Sequence, residues 1–253
     1  MNVRYQIPTE KLKEEPYASL LCYPKPSEKE LDKRLVELKK HGVTALEFGG
    51  RTEAFNLPIL GKGYVGIVVK AQTSESTIAL KIRRSDADRP SLQHEARMLA
   101  RANEIKVGPK LMGASKNFLL MYLVDGPFLP EWIKKHRKKQ LVQFVLNDLL
   151  EQCWRLDNIG LDHGELSKAP KHIIIHKQQK PFIVDFETAS IKRRPANVTS
   201  ICNFLFISGN SVSSITSEVM EKRNYRELLS ALKLYKKYGT RENFTRILKI
   251  CLS

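Results

Sequence analysis

The stretch Gly61-Lys62-Gly63-Tyr64-Val65-Gly66-Ile67-Val68 fits the pattern G-x-G-x-x-G-x-V, and together with the residues just after it limits the fold more than any other part of the chain. Glycines at this spacing let backbone N–H groups come close to phosphate oxygens. In a dinucleotide-binding βαβ unit they must open a helix. Here they lead into Ile67-Val68-Val69-Lys70, a β-branched run, then the polar turn Thr73-Ser74-Glu75-Ser76, then a second strand, Thr77-Ile78-Ala79-Leu80-Lys81-Ile82. The pattern predicts a hairpin, strand to glycine loop to strand. A hairpin that is glycine-rich for other reasons has the same local signature, so the choice falls to residues farther along.

Those residues divide into strands first and helices later, which predicts an α+β protein in two lobes. Residues 1–55 form an N-terminal extension. Its first 26 residues, with four prolines and little periodicity, are expected to be an irregular lead-in. Ser27 followed by Glu30 is a capping-box signature, and Leu31, Leu35 and Leu38 continue at helical spacing until Gly42, so a helix is expected over 28–41 and a strand over 43–48. Residues 56–123 are expected to form a β-rich first lobe, and 124–253 a mostly helical second lobe broken by a strand-rich stretch at 161–189. In the tail, Leu228, Leu229, Leu232 and Tyr235 make a helical stripe, Gly239 ends it, and Thr240 can cap the next helix.

Four further features stand in a fixed order behind the glycine loop. Ala79-Leu80-Lys81 lies on the second hairpin strand. A helix seeded by Pro90-Ser91 carries an apolar stripe, Leu92, Ala96 and Leu99, with Glu95 flanking it. Phe118–Gly126 is an apolar strand running into an Asp-Gly turn. Leu161-Asp162-His163-Gly164-Glu165-Leu166 is succeeded, twenty positions past Glu165, by Asp185 in Phe182-Ile183-Val184-Asp185-Phe186-Glu187. In this order the features resemble the protein-kinase superfamily over roughly residues 57–206. The chain looks closest to atypical archaeal RIO-like and KEOPS-type serine/threonine kinases, partly through Ala79–Arg89.

The resemblance implies a bilobed kinase-like fold that binds ATP with Mg2+ or Mn2+ and passes the γ-phosphate to a protein hydroxyl. It implies that Gly61, Lys62, Gly63, Gly66 and Val68 cover the nucleotide, that Ala79, Met121, Tyr122 and Leu123 line the adenine side, and that Glu95 pairs with Lys81 at the phosphates. Glu165 is the expected catalytic carboxylate, with Lys81 and Asp185 completing the catalytic set, and Asp185, His172 and Glu187 are the candidate metal ligands.

Three positions depart from the family pattern. Glu165 stands where an aspartate is expected, one methylene longer but with nearly the same acidity. His172, just ahead of Ile173-Ile174-Ile175, replaces a metal-binding asparagine; its imidazole would suit manganese, and a structural histidine is the alternative. Glu187 replaces the glycine of D-F-G, which argues against a switching segment. These losses keep open a second reading, a nucleotide-binding pseudokinase or ATPase switch.

A net charge of +16, from 43 basic against 27 acidic residues, favours polyanionic partners. RNA or a ribonucleoprotein is therefore a possible partner beside ATP and a protein substrate. Lys134–Lys139 is the densest basic tract, without interleaved aromatics for base stacking. Lys192-Arg193-Arg194 offers either an acidic-substrate contact or a solvated turn. Four scattered cysteines without metal spacing point to a reducing cytoplasm. No apolar run is long enough for a membrane span and no signal peptide is indicated, so no membrane partner is expected.

Overall fold

The alternation of apolar residues around the glycine loop builds the centre of a mostly antiparallel sheet. In the computed structural model, which describes residues 5–220 and 224–252, the chain divides into two units. One holds the described residues up to Arg97 together with Lys110–Leu123; the other holds Met98–Pro109 and the residues from Val124 onward.

The first unit opens with β1 (Tyr5–Pro8), a short 3-10 turn (Thr9–Lys13), α1 (Tyr17–Leu21) and α2 (Glu28–Lys40). Strands β2 (Val43–Phe48), β3 (Thr52–Ala54), β4 (Leu57–Ile59), β5 (Gly61–Lys62), β6 (Gly66–Thr73) and β7 (Thr77–Arg83) come next. Helix α3 (Gln93–Glu104) crosses into the second unit at Met98, and β8 (Leu111–Ala114) and β9 (Phe118–Tyr122) complete the first. The main sheet runs β1-β2-β6-β7-β9-β8, with β5 added beside β6. One face of β6 and β7, Ile67, Val69, Ala71, Ile78, Leu80 and Ile82, is buried almost completely. It joins Leu12, Leu20, Leu21, Leu38, Leu46 and Phe48 in a single apolar core. Burial of this kind is the main favourable contribution to folding.

The irregular lead-in expected for residues 1–26 is corrected here. Residues 5–8 pair with β2 as the sheet's edge strand, Tyr5 opposite Phe48. Leu12, Leu20, Leu21 and Cys22 have no exposure at all. The prolines had masked this because each ordered piece between them is only four or five residues long, too short for a visible period. Helix α2 starts as expected at Ser27, whose hydroxyl accepts from Glu30 N–H at 3.4 Å. Only that half of the capping box forms: the Glu30 carboxylate turns instead to Arg34 Nε at 2.9 Å.

Arg34 is the largest fully buried side chain of this unit. Its NH1 donates to Leu21 O and, at 2.6 Å, to Arg83 O, and its NH2 reaches Asn117 Oδ1 at 3.3 Å. One guanidinium thus ties α2, the end of α1, β7 and the β8–β9 turn together.

In the second unit α4 (Leu129–Lys135) precedes α5 (Lys139–Asn158), whose Val142, Val145, Leu146, Leu149, Leu150, Cys153 and Leu156 are buried. A 3-10 turn (Leu166–Lys168) and the hairpin β10 (Ile173–Ile175)–β11 (Pro181–Ile183) come after it. The strand-rich stretch expected at 161–189 is confined to that hairpin. Its remainder is mostly loop, held by isolated bridges such as Asp162 with Ser190. The rest of the unit is α6 (Asn197–Cys202), a π-helical segment (Asn203–Ile207), α7 (Ser211–Val219), α8 (Tyr225–Tyr238) and α9 (Arg241–Leu252). Gly239, in the left-handed region at φ 61°, ends α8, and Thr240 Oγ1 accepts from Asn243 N–H at 3.3 Å. On α8, Leu228, Leu232 and Tyr235 face inward with Ala231, whereas Leu229 is 45% exposed and leaves the expected stripe.

No single helix among the described residues is long and apolar enough to cross a membrane.

Candidate functional site

Strand alternation decides which face Lys81 takes. With Leu80 and Ile82 on the core face, Lys81 lies on the other, and the antiparallel register sets Val68 directly opposite it. On the other flank of β7, Ala79 faces Met121. Val68, Ala79, Lys81 and Met121 therefore share one face across three adjacent strands. At the end of β9, Tyr122 is 44% exposed and Leu123 half-buried.

Lys81 does not stand alone on that face. Its Nζ lies 2.8 Å from Glu95 Oε2 and 3.0 Å from Oε1, with side-chain exposures of 7% and 4%. Glu95 sits in the first turn of α3 because Leu92 and Ala96 pack with Val65 and Leu119 in a small cluster of their own. A buried ammonium without an anion would be strongly disfavoured, so each partner keeps the other charged and in place.

The glycine hairpin is a closed two-residue loop. Gly63 N–H donates to Gly66 O at 2.8 Å, leaving Tyr64 at the tip, 92% exposed, and Val65 folded inward. Arg84 braces it from the next strand end: its backbone N–H reaches Val65 O at 2.8 Å and its NH1 reaches Gly63 O at 3.1 Å. Gly66 is where the hairpin needs glycine most. A Cβ there would stand 2.9 Å from Ile82 O and 3.0 Å from Lys81 Cγ. Gly61 and Lys62 form β5, and the Lys62 ammonium rests 4.4 Å over the Tyr23 ring.

In the second unit the loop 161–166 is clamped around His163. Its backbone N–H donates to Asn197 Oδ1 at 2.8 Å, its carbonyl accepts from Thr188 Oγ1 at 3.0 Å, and its ring Nε2–H donates to Val184 O at 3.1 Å. Burial, then the neighbouring His172 ring, pushes its pKa down to about 4, so the ring is neutral at physiological pH. Gly164 is next, at φ 91°, where Arg193 and Thr188 leave no room for a Cβ. Glu165 then caps the short 3-10 turn, its carbonyl accepting from Lys168 N–H at 3.1 Å.

This geometry brings Glu165, His172 and Asp185 together. His172 Nε2 lies 3.3 Å from Glu165 Oε2 and 4.0 Å from Asp185 Oδ2. One donor atom of each residue falls within 4.8 Å of the others, and a Glu187 carboxylate oxygen is also within 4.8 Å of one from Asp185. Asp185 has φ 68°, in the left-handed region, which aspartate tolerates better than most residues and which concentrates at functional sites. A ligand set with an imidazole beside carboxylates suits a first-row transition ion better than magnesium, which favours all-oxygen surroundings.

Several further residues brace the loops around this cluster. Asp162 holds Arg193 Nε at 2.9 Å and accepts from Ala196 N–H at 3.2 Å. Asn197 is the buried peg linking His163 to Asp157. Arg194 bonds to the carbonyls of Lys236 and Lys237. Two of the three side chains in Lys192-Arg193-Arg194 are thus tied down by intramolecular bonds at the surface. The tract Lys134–Lys139 is likewise partly engaged. Lys135 pairs with Glu131 at 3.0 Å, His136 stacks on Trp132, and Arg137 pairs with Glu218 at 2.9 Å.

The fold makes the chain an α+β protein with a mostly antiparallel sheet and a helical second unit. No family model matches it. It is 30% identical over 95 residues to an uncharacterized protein, MJ1211, of Methanocaldococcus jannaschii, in an alignment covering 38% of this chain and 79% of that protein. The chain belongs to the same family as MJ1211.

Proposed function

We propose that this protein is a kinase-like ATP-dependent phosphotransferase of the atypical RIO-like type, acting on a serine or threonine hydroxyl of a protein in the cytoplasm. The observation that carries the reading is the buried Lys81–Glu95 pair on the same sheet face as Val68, Ala79 and Met121, beside a glycine hairpin. A lysine desolvated and oriented in this way is a fixed positive point for phosphate oxygens. Leu123, just past the end of β9, would present its backbone to an adenine edge, whereas the Tyr122 N–H is already given to Lys110 O at 2.8 Å.

Asp185 and His172 would hold a divalent cation, which when bound neutralises charge on the phosphates. Glu165 accepts the proton of the acceptor hydroxyl as its oxygen forms the new bond to phosphorus and the bond to the ADP oxygen breaks. Phosphoryl transfer asks mainly for positioning and charge stabilisation, so a glutamate can serve where the loop places it.

One contact favours a second reading. Glu165 faces His172 at 3.3 Å. If Glu165 joins Asp185 and His172 as a third ligand, no base remains, and the protein binds ATP as a pseudokinase or ATPase switch.

Transfer from labelled ATP to a serine-rich protein, with magnesium and with manganese, separates the two. The kinase reading expects labelling by the wild type, strongest with manganese, and its loss in both Asp185→Ala and Glu165→Gln. Nucleotide binding without transfer under either metal would establish the switch instead, and failure to bind ATP at all would overturn both.

A further inference from the structure

A cavity of about 320 Å³ opens in the second unit, lined by Pro130, Ser167, Lys168, Phe204, Asn210 and Ser211 among others. Its walls come from the start of α4, the 3-10 turn behind Glu165, the π-helical segment and the start of α7. Its size sits at the lower end of the range for ligand pockets, roughly 300–1,000 Å³. Two features set it apart from an ordinary surface hollow. Phe204 lies on the five-residue π-helical segment Asn203–Ile207, a rare backbone form that is frequent at functional sites. Ser167 and Lys168 belong to the same 3-10 turn that Glu165 caps. The cavity wall therefore begins two residues along the chain from Glu165.

The lining has a definite chemical character. Phe204, Pro130, Pro170 and Val212 supply apolar walls; Ser167, Ser208 and Ser211 supply hydroxyls; Lys168 supplies a cation. The Asn210 carboxamide already caps α7 through Val212 N–H and Ser213 N–H, so the helix start is satisfied from within. None of the described lining residues is acidic. The site favours a segment that lays apolar atoms on Phe204 and the prolines and sets a carboxylate against Lys168.

We propose that this cavity is the acceptor pocket and that it takes an acidic, serine- or threonine-containing peptide segment, holding the hydroxyl residue next to Glu165. The inference deepens the kinase reading and rests on it for the role of Glu165, but not for the binding itself. An acidic acceptor also agrees with the charge of the whole chain, +16, which draws acidic partners toward it.

The test is direct binding without ATP. A fluorescein-labelled Asp-Asp-Ser-Asp-Asp peptide and its Lys-Lys-Ser-Lys-Lys counterpart are titrated by anisotropy against the wild type, Lys168→Glu and Ser211→Trp. Thermal melts run alongside establish that each variant is folded. Ser211 is exposed at the helix start, so tryptophan there fills the cavity without entering the core. The pocket requires the wild type to prefer the acidic peptide, Lys168→Glu to lose that preference, and Ser211→Trp to weaken binding at least tenfold without any change of charge. Equal affinity in all three proteins would mean attachment to the basic surface at large and would overturn the pocket, as would no binding of the acidic peptide. Because no nucleotide is present, a failed transfer assay leaves this result standing, and a failed titration leaves the kinase reading standing.

Discussion

Lys81 Nζ and Glu95 Oε2 are 2.8 Å apart inside the first unit, with both side chains almost wholly removed from water. Such a pair is costly to form and more costly to break, since the survivor is left as an uncompensated charge. Lys81→Met or Glu95→Gln alone is expected to lower the unfolding free energy by about 3–5 kcal/mol. The double variant, in which no charge is left alone, is expected to recover part of that loss. Urea denaturation measures the stability, and ATP titration of the folded proteins should show nucleotide affinity lost in every variant lacking Lys81. Full retention of ATP affinity in a folded Lys81→Met protein would remove Lys81 from the proposed phosphate site.

Gly66 meets the same lysine from the neighbouring strand. Since a Cβ would lie 2.9 Å from Ile82 O and 3.0 Å from Lys81 Cγ, Gly66→Ala must push β6 from β7 or turn Lys81 aside. Overpacking of this kind costs about 1–3 kcal/mol. Gly61 has nothing within 4 Å of its notional Cβ, so Gly61→Ala should be nearly neutral when the two variants are compared by thermal melting. Equal losses at both positions would contradict the close-approach argument.

Arg34 gives a prediction remote from the candidate site. Its removal leaves the carbonyls of Leu21 and Arg83 without their buried donor. Arg34→Ala is expected to cost about 3–5 kcal/mol, comparable to breaking a buried ion pair, and to lower the melting temperature by roughly 5 °C or more. Arg34→Lys should rescue only part, because a single ammonium cannot reproduce the guanidinium fork.

The pH dependence of stability has one source in Glu47 on β2. Burial works against its charged form, but hydrogen bonds from Lys70 Nζ at 3.0 Å and Gln72 Nε2 at 2.9 Å outweigh it and hold the carboxyl below its ordinary value of 4.5. A carboxyl more acidic in the folded state than in the unfolded one contributes stability that is complete above the unfolded value, 4.5, and is lost as pH falls through the folded value. Thermal melts from about pH 7 to about pH 3 should therefore decline less steeply for Glu47→Gln than for the wild type once the pH is below the unfolded value. Parallel profiles would mean that the Lys70 pair contributes nothing to acid sensitivity.

What the chain shows on its face is what depends on neighbours in sequence. The β5–β6 hairpin, the alternation that puts Lys81 on the face away from the core, the Ser27 cap of α2 and the glycine ends at Gly42 and Gly239 are set by backbone sterics and side-chain period within a few residues. The tertiary structure decided the rest. The segment 5–26 reads as irregular because its pieces are too short to carry a period, and only pairing with β2 makes a strand of Tyr5–Pro8. Arg34 looks like one more solvated helix cation until Leu21, Arg83 and Asn117, up to 83 positions away, close around it. Glu165 and His172 are close in the chain with nothing local to mark them as partners. Their 3.3 Å approach comes from the clamps that Asn197, Thr188 and Val184 place on the loop between α5 and β10. Local pattern encodes which face a residue takes; the Lys81–Glu95 pair was legible only through the family resemblance, because the burial that brings charged groups together is set once distant segments have packed.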